Sequence, residues 1–495
     1  MNRARRIVPA TLVVALTACT GTAELRTGGA EGPASSEPSS ASPSVTPTPS
    51  AQAAPEPDLD LARSETREDS YYPEVGDPLV DALHYDLDLA WDPAARTLTG
   101  AQTLTFRATE DAGSVRLDLG APLEVSEATL DGDPVTTSRD GDALLVRAPV
   151  RADVEHELRL AYAGSPEPVG VPTTRTDFSS TGWTVTPAGE TWTMQEPWGA
   201  HTWYAVNDHP SDKALYDVTM RVPAPWTGVS NGELLERTEA DGQTTTRWHL
   251  AEPAAPYLVT AAFANYEMTE DVSGSGVPLT YWTPRDRPAL KAALAVTPEA
   301  MDWLEDLLGP YPYDTFGTVV VDSDSAMETQ TMVTLGDTPY TTSPEVVVHE
   351  LAHHWYGNQV TPTDWADLWM NEGMAMYLQG MWEAEQRGVE VGVVMDEWAP
   401  SEAQYRAESG PPGAYDRGAF ASSNVYYGPA LMFHELRERV GDEAFFAMAR
   451  GWPAANDNGN ATRQEFLDFI ESSTGEELSD FFDAWLLGET TPSRD

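Results

Sequence analysis

Between Tyr85 and Trp91 the chain alternates strictly: Tyr85, Leu87, Leu89 and Trp91 are large and apolar, while Asp86, Asp88 and Ala90 fall between them. A period of two puts the apolar set on one face of a half-buried strand. After the turn at Asp92-Pro93 the pattern resumes through Leu98, Gln102, Leu104 and Phe106, and shorter strands are predicted at 115–119, 143–146, 158–162 and 216–222. Residues 72–270 thus read as an antiparallel β-domain of saddle or sandwich type. Past the turn at Ser273-Gly274-Ser275-Gly276 the period changes to that of helices. A helix is predicted over 289–308, a strand over 316–321, and long helices from Pro344 onward. Thr462-Arg463-Gln464-Glu465 is a capping box, with Phe466, Phe469 and Ile470 at helical spacing behind it. Leu478, Phe481, Phe482 and Trp485 form a further apolar stripe of core character. The fold class is α+β, a β-rich half followed by a mainly helical half over 271–495.

The first residues follow a different logic. Met1 to Arg6 carries three arginines, a short apolar run follows to Ala18, and Leu16-Thr17-Ala18-Cys19 ends it. That is the pattern of a secretory signal, too short to remain as a membrane span. The string also resembles the lipobox of bacterial lipoproteins, which implies cleavage after residue 18, lipidation of Cys19, and a protein held on the outer face of the cytoplasmic membrane by its lipid anchor alone. Residues 19–71 are rich in Ala, Ser, Pro and Thr and read as a disordered tether. Cys19 is the single cysteine, so no intramolecular disulfide and no thiolate metal site can form.

Charge narrows the partners. With 29 Lys+Arg against 79 Asp+Glu the formal net charge is -50, which repels nucleic acid and acidic headgroups and favours solubility. Forty-one per cent hydrophobic residues and 16 Trp exclude a chain that stays unfolded.

The chemistry concentrates in Ser343-Pro344-Glu345-Val346-Val347-Val348-His349-Glu350-Leu351-Ala352-His353. Ser343 suits an N-cap, Pro344 the first helical position, and Gly357 the end of the helix. His349 and His353, four apart, share a face and can grip one metal ion, while Glu350 stands close enough to reach water on that ion. Glu372, separated from His353 by eighteen intervening residues and lying within Asn371-Glu372-Gly373, supplies the third ligand of a His₂Glu set with one open position. His354 faces about 100° away from His353 and reads as structural.

H-E-x-x-H, eighteen residues and then Glu is the gluzincin signature, and the chain resembles the aminopeptidase N family over most of its length from Tyr72. Ser325-Ala326-Met327-Glu328-Thr329 is similar to the family's Gly-x-Met-Glu-Asn strand. Gln195-Glu196, twelve residues before Asp208-His209-Pro210 and Lys213-Ala214, is similar to its upstream pattern, and Val425-Tyr426-Tyr427 with Ala430 to its Val-Tyr-x-x-Gly-Ala. The resemblance implies a thermolysin-like catalytic domain, one Zn²⁺ per chain on His349, His353 and Glu372, Glu350 as general base, and Tyr426 stabilising the transition state. It also implies Glu196 and Glu328 as the carboxylates that hold a substrate's free α-amine, and hence peptides with free N-termini as partners. Ser325 and Thr329 depart from the motif's Gly and Asn, Met194 stands at the family's Gln position, Tyr427 is a competing phenol, and Gln379 replaces a frequent acidic residue. With 123 residues after Glu372, an open cleft accepting peptides of varied length is expected. The alternatives are a gluzincin endopeptidase and an inactive peptide-binding lipoprotein.

Overall fold

A computed structural model describes residues 55–494. The expected leader, Cys19 and the tether as far as residue 54 lie outside the described residues. From residue 55 the tether expectation is corrected. Leu59–Ala62 forms a 3₁₀ turn, and the segment behind it is bound to the folded body: Ser64 N–H donates to Asp81 and Arg67 N–H to Ser211. Asp69, buried, accepts from the N–H groups of Tyr71, Tyr72 and Trp365, and Ser70 binds Asp364 through both its N–H and its hydroxyl. Composition suggested solvation here because the anchoring is largely polar and rests on partners from 17 to almost 300 residues away in sequence, which no local pattern can reveal.

The β-rich half is built on an eight-stranded sheet. Val80–Asp92 lies at its middle, antiparallel to Thr97–Ala108 on one side and parallel to Ala214–Pro223 on the other. Tyr85, Leu87, Leu89 and Trp91 are buried while Asp86 is exposed, as the alternation requires. The one parallel pair departs from a wholly antiparallel sheet. The chain between the two parallel strands contributes Ser180–Val185 and Thr191–Met194 to a second sheet, which Thr227–Ser230 and Ala261–Ala264, from beyond Ala214–Pro223, complete. Glu196 stands just past the end of Thr191–Met194.

The architecture changes slightly earlier than residue 271, because Tyr266–Val272 already pairs with Pro278–Pro284 in a third sheet that also contains Phe316–Val321, Met332–Gly336 and the edge strand Ala326–Met327. Helices follow. The predicted 289–308 helix is broken into a turn at Leu290–Ala293, a 3₁₀ turn, and α1 (Thr297–Leu308), since Pro298 has no N–H with which to continue the ladder and sits instead in the first turn of the next helix. Beyond it come α2 (Pro344–Ala352), α3 (Trp369–Arg387), α4 (Val391–Ser409), α5 (Asn424–Val440), α6 (Asp442–Ala455), α7 (Arg463–Thr474) and α8 (Ser479–Leu486). Ser343 caps α2 by accepting from Val346 N–H, and the Thr462–Glu465 capping box opens α7. Leu478, Phe482 and Trp485 are buried. A continuous apolar core joins the β-rich and helical halves.

Candidate metal centre and cleft

Three side chains from two helices converge on one point. His349 on α2, His353 at its C-terminal end and Glu372 in the first turn of α3 bring their donor atoms together: His349 Nε2 lies 3.2 Å from Glu372 Oε2 and 3.2 Å from His353 Nε2, and His353 Nε2 lies 3.4 Å from the same Glu372 oxygen. Two imidazole nitrogens facing each other and one carboxylate oxygen at such distances form a cage for a cation. His353 Nδ1 meets the Tyr356 carbonyl at 3.1 Å; donation there leaves Nε2 as the lone pair turned inward. The donor set and its buried setting fit zinc. Gly357, with a φ of 127°, turns the chain away behind this helix.

Around the cage lies a cleft of about 540 Å³. Glu350, Glu196 and Glu328 line it and are all buried. Oxygens of Glu196, Glu328 and Glu372 come within 4.8 Å of one another, and Glu196 Oε1 and Glu328 Oε1 have no protein partner. Burial and mutual repulsion push the carboxyl of Glu196 well above its ordinary value, burial pushes Glu350 well above its own, and burial raises Glu328. Burial would also raise Glu372, but His353 and His349 outweigh it and hold that carboxyl low. Burial works against a charged His353, yet Glu328 and Glu372 prevail and push it up to about 10. The site as a whole is short of positive charge.

Tyr426, in the first turn of α5, stacks on His349 with ring centroids 6.0 Å apart. Tyr427 also reaches the cleft wall but packs against Trp398 and Tyr405. Gln379 and Met376 extend the wall along α3 beyond Glu372. Met194 lines the cleft, whereas Gln195 turns inward, donating to the carbonyls of Pro256 and Val259 and accepting from Trp203. Thr329 ties off the turn after Glu328 by donating to the Met332 carbonyl, and His354 accepts from Thr331 N–H at 3.1 Å among Tyr311, Tyr313 and Phe316. Burial pushes His354 down to about 3, so it is a neutral acceptor supporting the Glu328 turn.

Arg175 escaped the sequence reading, and Lys213 entered it only as part of a motif match with no role attached. Lys213, fully enclosed, donates to the carbonyls of Asn358 and Gln359, and Asn358 in turn donates to the Glu328 carbonyl. Burial lowers Lys213 to about 7. Arg175, on the coil between residues 170 and 180, enters the cleft and donates to Tyr426 Oη. A cation in an otherwise acidic chain's coil was the available signal, but no spacing tied it to the cleft.

A β-rich half carrying Glu196, a helical half carrying a His₂Glu cage, and a cleft between them define the zinc metallopeptidase scaffold. The profile of the peptidase M1 N-terminal domain matches residues 81–258 and that of the peptidase family M1 domain matches residues 292–485. The chain belongs to peptidase family M1. The crystal structure of the M1 zinc metallopeptidase from Deinococcus radiodurans matches with a TM-score of 0.78 and 29% identity, covering 86% of this chain and 98% of that one. A mutant form of that protein bound to a Tyr-Ser-Ala substrate matches with the same TM-score and coverage at 28% identity. Aminopeptidase N of Streptomyces lividans is 25% identical over 82% of this chain and 50% of its own length, and human glutamyl aminopeptidase 26% identical over 61% and 34%. The chain thus spans half or less of these two relatives.

Proposed function

We propose that the protein is a zinc-dependent aminopeptidase that removes the N-terminal residue from peptides. The observation that carries this reading is the pair of unpartnered buried carboxylate oxygens on Glu196 and Glu328, set within 4.8 Å of the ligand Glu372. Buried carboxylates without partners call for a cation, and the α-ammonium of a peptide satisfies both while placing the first peptide bond at the metal.

Zinc held by His349, His353 and Glu372 supplies an electrophile that acidifies water and polarises the scissile carbonyl. Glu350 takes the proton from the attacking water on its carboxylate and returns it to the departing amine. Tyr426 Oη donates a hydrogen bond to the carbonyl oxygen as that atom gains negative charge. Glu196 and Glu328 fix the register, which limits cleavage to one residue from the free end. The Streptomyces and human relatives carry aminopeptidase names, which supports the same reading.

Aminoacyl-coumarin substrates beside their N-acetylated twins test it. Release from the free-amine set alone is expected, abolished by a chelator and reduced about 10²–10⁴-fold by Glu350→Gln. Cleavage of the acetylated twins would assign an endopeptidase; zinc binding without any cleavage would assign a binding protein. We further propose lipid anchoring through Cys19, supported by the Leu16–Cys19 string. Detergent-phase partition of the full chain, lost in Cys19→Ser, is the expected outcome, and equal partition of both would contradict it.

A further inference from the structure

Tyr426 must do more than stand near the metal: its single proton has to point at the substrate. A phenol can donate one hydrogen bond and accept others, and rotation of the hydroxyl costs little unless an acceptor lone pair is already engaged. In this structure Arg175 engages it, with Nη1 3.1 Å from Tyr426 Oη. The guanidinium is itself fixed. Its Nε and Nη2 edge grips Asp177, Nη1 also reaches the Ala421 carbonyl at 3.4 Å, and its face lies 4.4 Å above the Phe178 ring. The coil that carries it is stitched to the segment leading into α5: Phe420 N–H donates to the Pro172 carbonyl, Thr173 Oγ1 donates to the Phe420 carbonyl, and the hydroxyls of Thr174 and Ser422 bond at 2.8 Å. Arg175 from the β-rich half and Tyr426 from the helical half therefore sit on one rigid assembly.

We propose that Arg175 is a positioning residue for Tyr426: by filling the acceptor lone pair of the phenol it commits the phenolic proton to the substrate oxygen, with Asp177 and Phe178 holding the guanidinium in place. This rests on the aminopeptidase reading above. Arg175 donates only, so it cannot itself compete for that proton, and a neutral amide in its place would offer the phenol an alternative acceptor.

The test is a double-mutant cycle on free-amine coumarin substrates using Arg175→Met, Arg175→Lys, Tyr426→Phe and the double variant Arg175→Met with Tyr426→Phe, with zinc content and thermal midpoint measured for each. Removing an oxyanion donor typically costs about 10²–10³ in kcat, so loss of its positioning partner should cost about 10–100-fold in kcat with KM within about twofold. Arg175→Lys should recover part of that loss. In the Tyr426→Phe background, Arg175→Met should change kcat less than about twofold. A phosphinic pseudodipeptide should bind Arg175→Met more weakly in proportion to kcat by calorimetry, while the free amino acid product binds as before. Multiplicative losses in the double variant, a KM effect without a kcat effect, or unchanged phosphinate affinity would overturn the proposal. Should Arg175→Met fail to unfold cooperatively, Arg175→Lys alone carries the cycle. Wild-type protein that cleaves no free-amine substrate would refute the aminopeptidase reading and this proposal with it; wild-type activity with multiplicative losses would refute only the proposal.

Discussion

At the scale of single residues, the absence of a side chain at Gly373 sets the approach of α3 to α5. A Cβ added there would lie 2.4 Å from Pro429 Cβ and 3.2 Å from the Phe433 ring, and a proline ring cannot swing aside. Glu372 and Tyr426 owe their closeness to this contact, since one precedes Gly373 and the other sits one turn before Pro429. Gly373→Ala is expected to cost about 1–3 kcal/mol of stability through overpacking and to lower kcat at least tenfold while zinc content stays at one per chain. Unchanged kcat in a stable variant would show that the spacing of these helices does not govern Tyr426. Site residues were legible where the chemistry imposes a local spacing. His349, Glu350, His353 and Glu372 belong to that class, because helix geometry and ligand count restrict them. Arg175 was not legible, since it acts on a phenol oxygen more than two hundred residues away and needs no particular neighbours in sequence, and Lys213 was legible only through the Lys213-Ala214 resemblance, which did not reveal the carbonyls it holds.

At the scale of elements, three strands of the large sheet are joined by one carboxylate. Asp217 on Ala214–Pro223 accepts from His84 on Val80–Asp92 and from His249 on Gln243–Ala254, each at 2.9 Å. Burial would raise Asp217, but its hydrogen bonds to the two histidines prevail and lower it from 3.8 to about 2; the bond to Asp217 raises His249 above its ordinary 6.5. A lowered carboxyl stabilises above its unfolded value and loses that contribution as pH falls toward about 2. A raised histidine contributes fully below 6.5 and loses its share as pH rises through its folded value. Asp217→Asn should therefore depress the thermal midpoint most between about pH 4 and 6.5 and progressively less at higher pH. A depression that grows above pH 7 would contradict the arrangement. The alternation in Val80–Asp92 announced the strand, and Ser343 and Thr462 announced the starts of two helices, because these depend on neighbours in sequence. The parallel pairing of Val80–Asp92 with Ala214–Pro223 did not show, because a strand's partner is chosen by burial shared across more than a hundred residues.

At the scale of the whole molecule, residues 55–72 act as a clasp. They run along the β-rich half and end on Asp364 and Trp365 just before α3, where Tyr71 packs on Tyr415 and Tyr72 donates to the Arg417 carbonyl. A chain begun at Tyr72 loses the Asp69 carboxylate and leaves the buried Trp365 N–H without a partner, a loss of about 2–4 kcal/mol from one orphaned donor and the companion bonds. Its thermal midpoint should fall by several degrees relative to a chain begun at residue 55, and equal midpoints would mean that the clasp is ornamental. The charged and polar composition of the segment concealed this, since its hydrogen-bonding partners and the apolar neighbours of Leu59, Ala62, Tyr71 and Tyr72 lie far away in sequence.

The central claim is that amine capture by Glu196 and Glu328 sets where the chain cuts. Mass spectrometry of a decapeptide during digestion, with a free N-terminus in one sample and an acetylated one in the other, tests it most directly. The account predicts a ladder shortening by one residue at a time from the free N-terminus and an intact acetylated peptide, with the ladder slowed by Glu328→Ala. Internal fragments from either peptide, or equal consumption of the acetylated one, would contradict it.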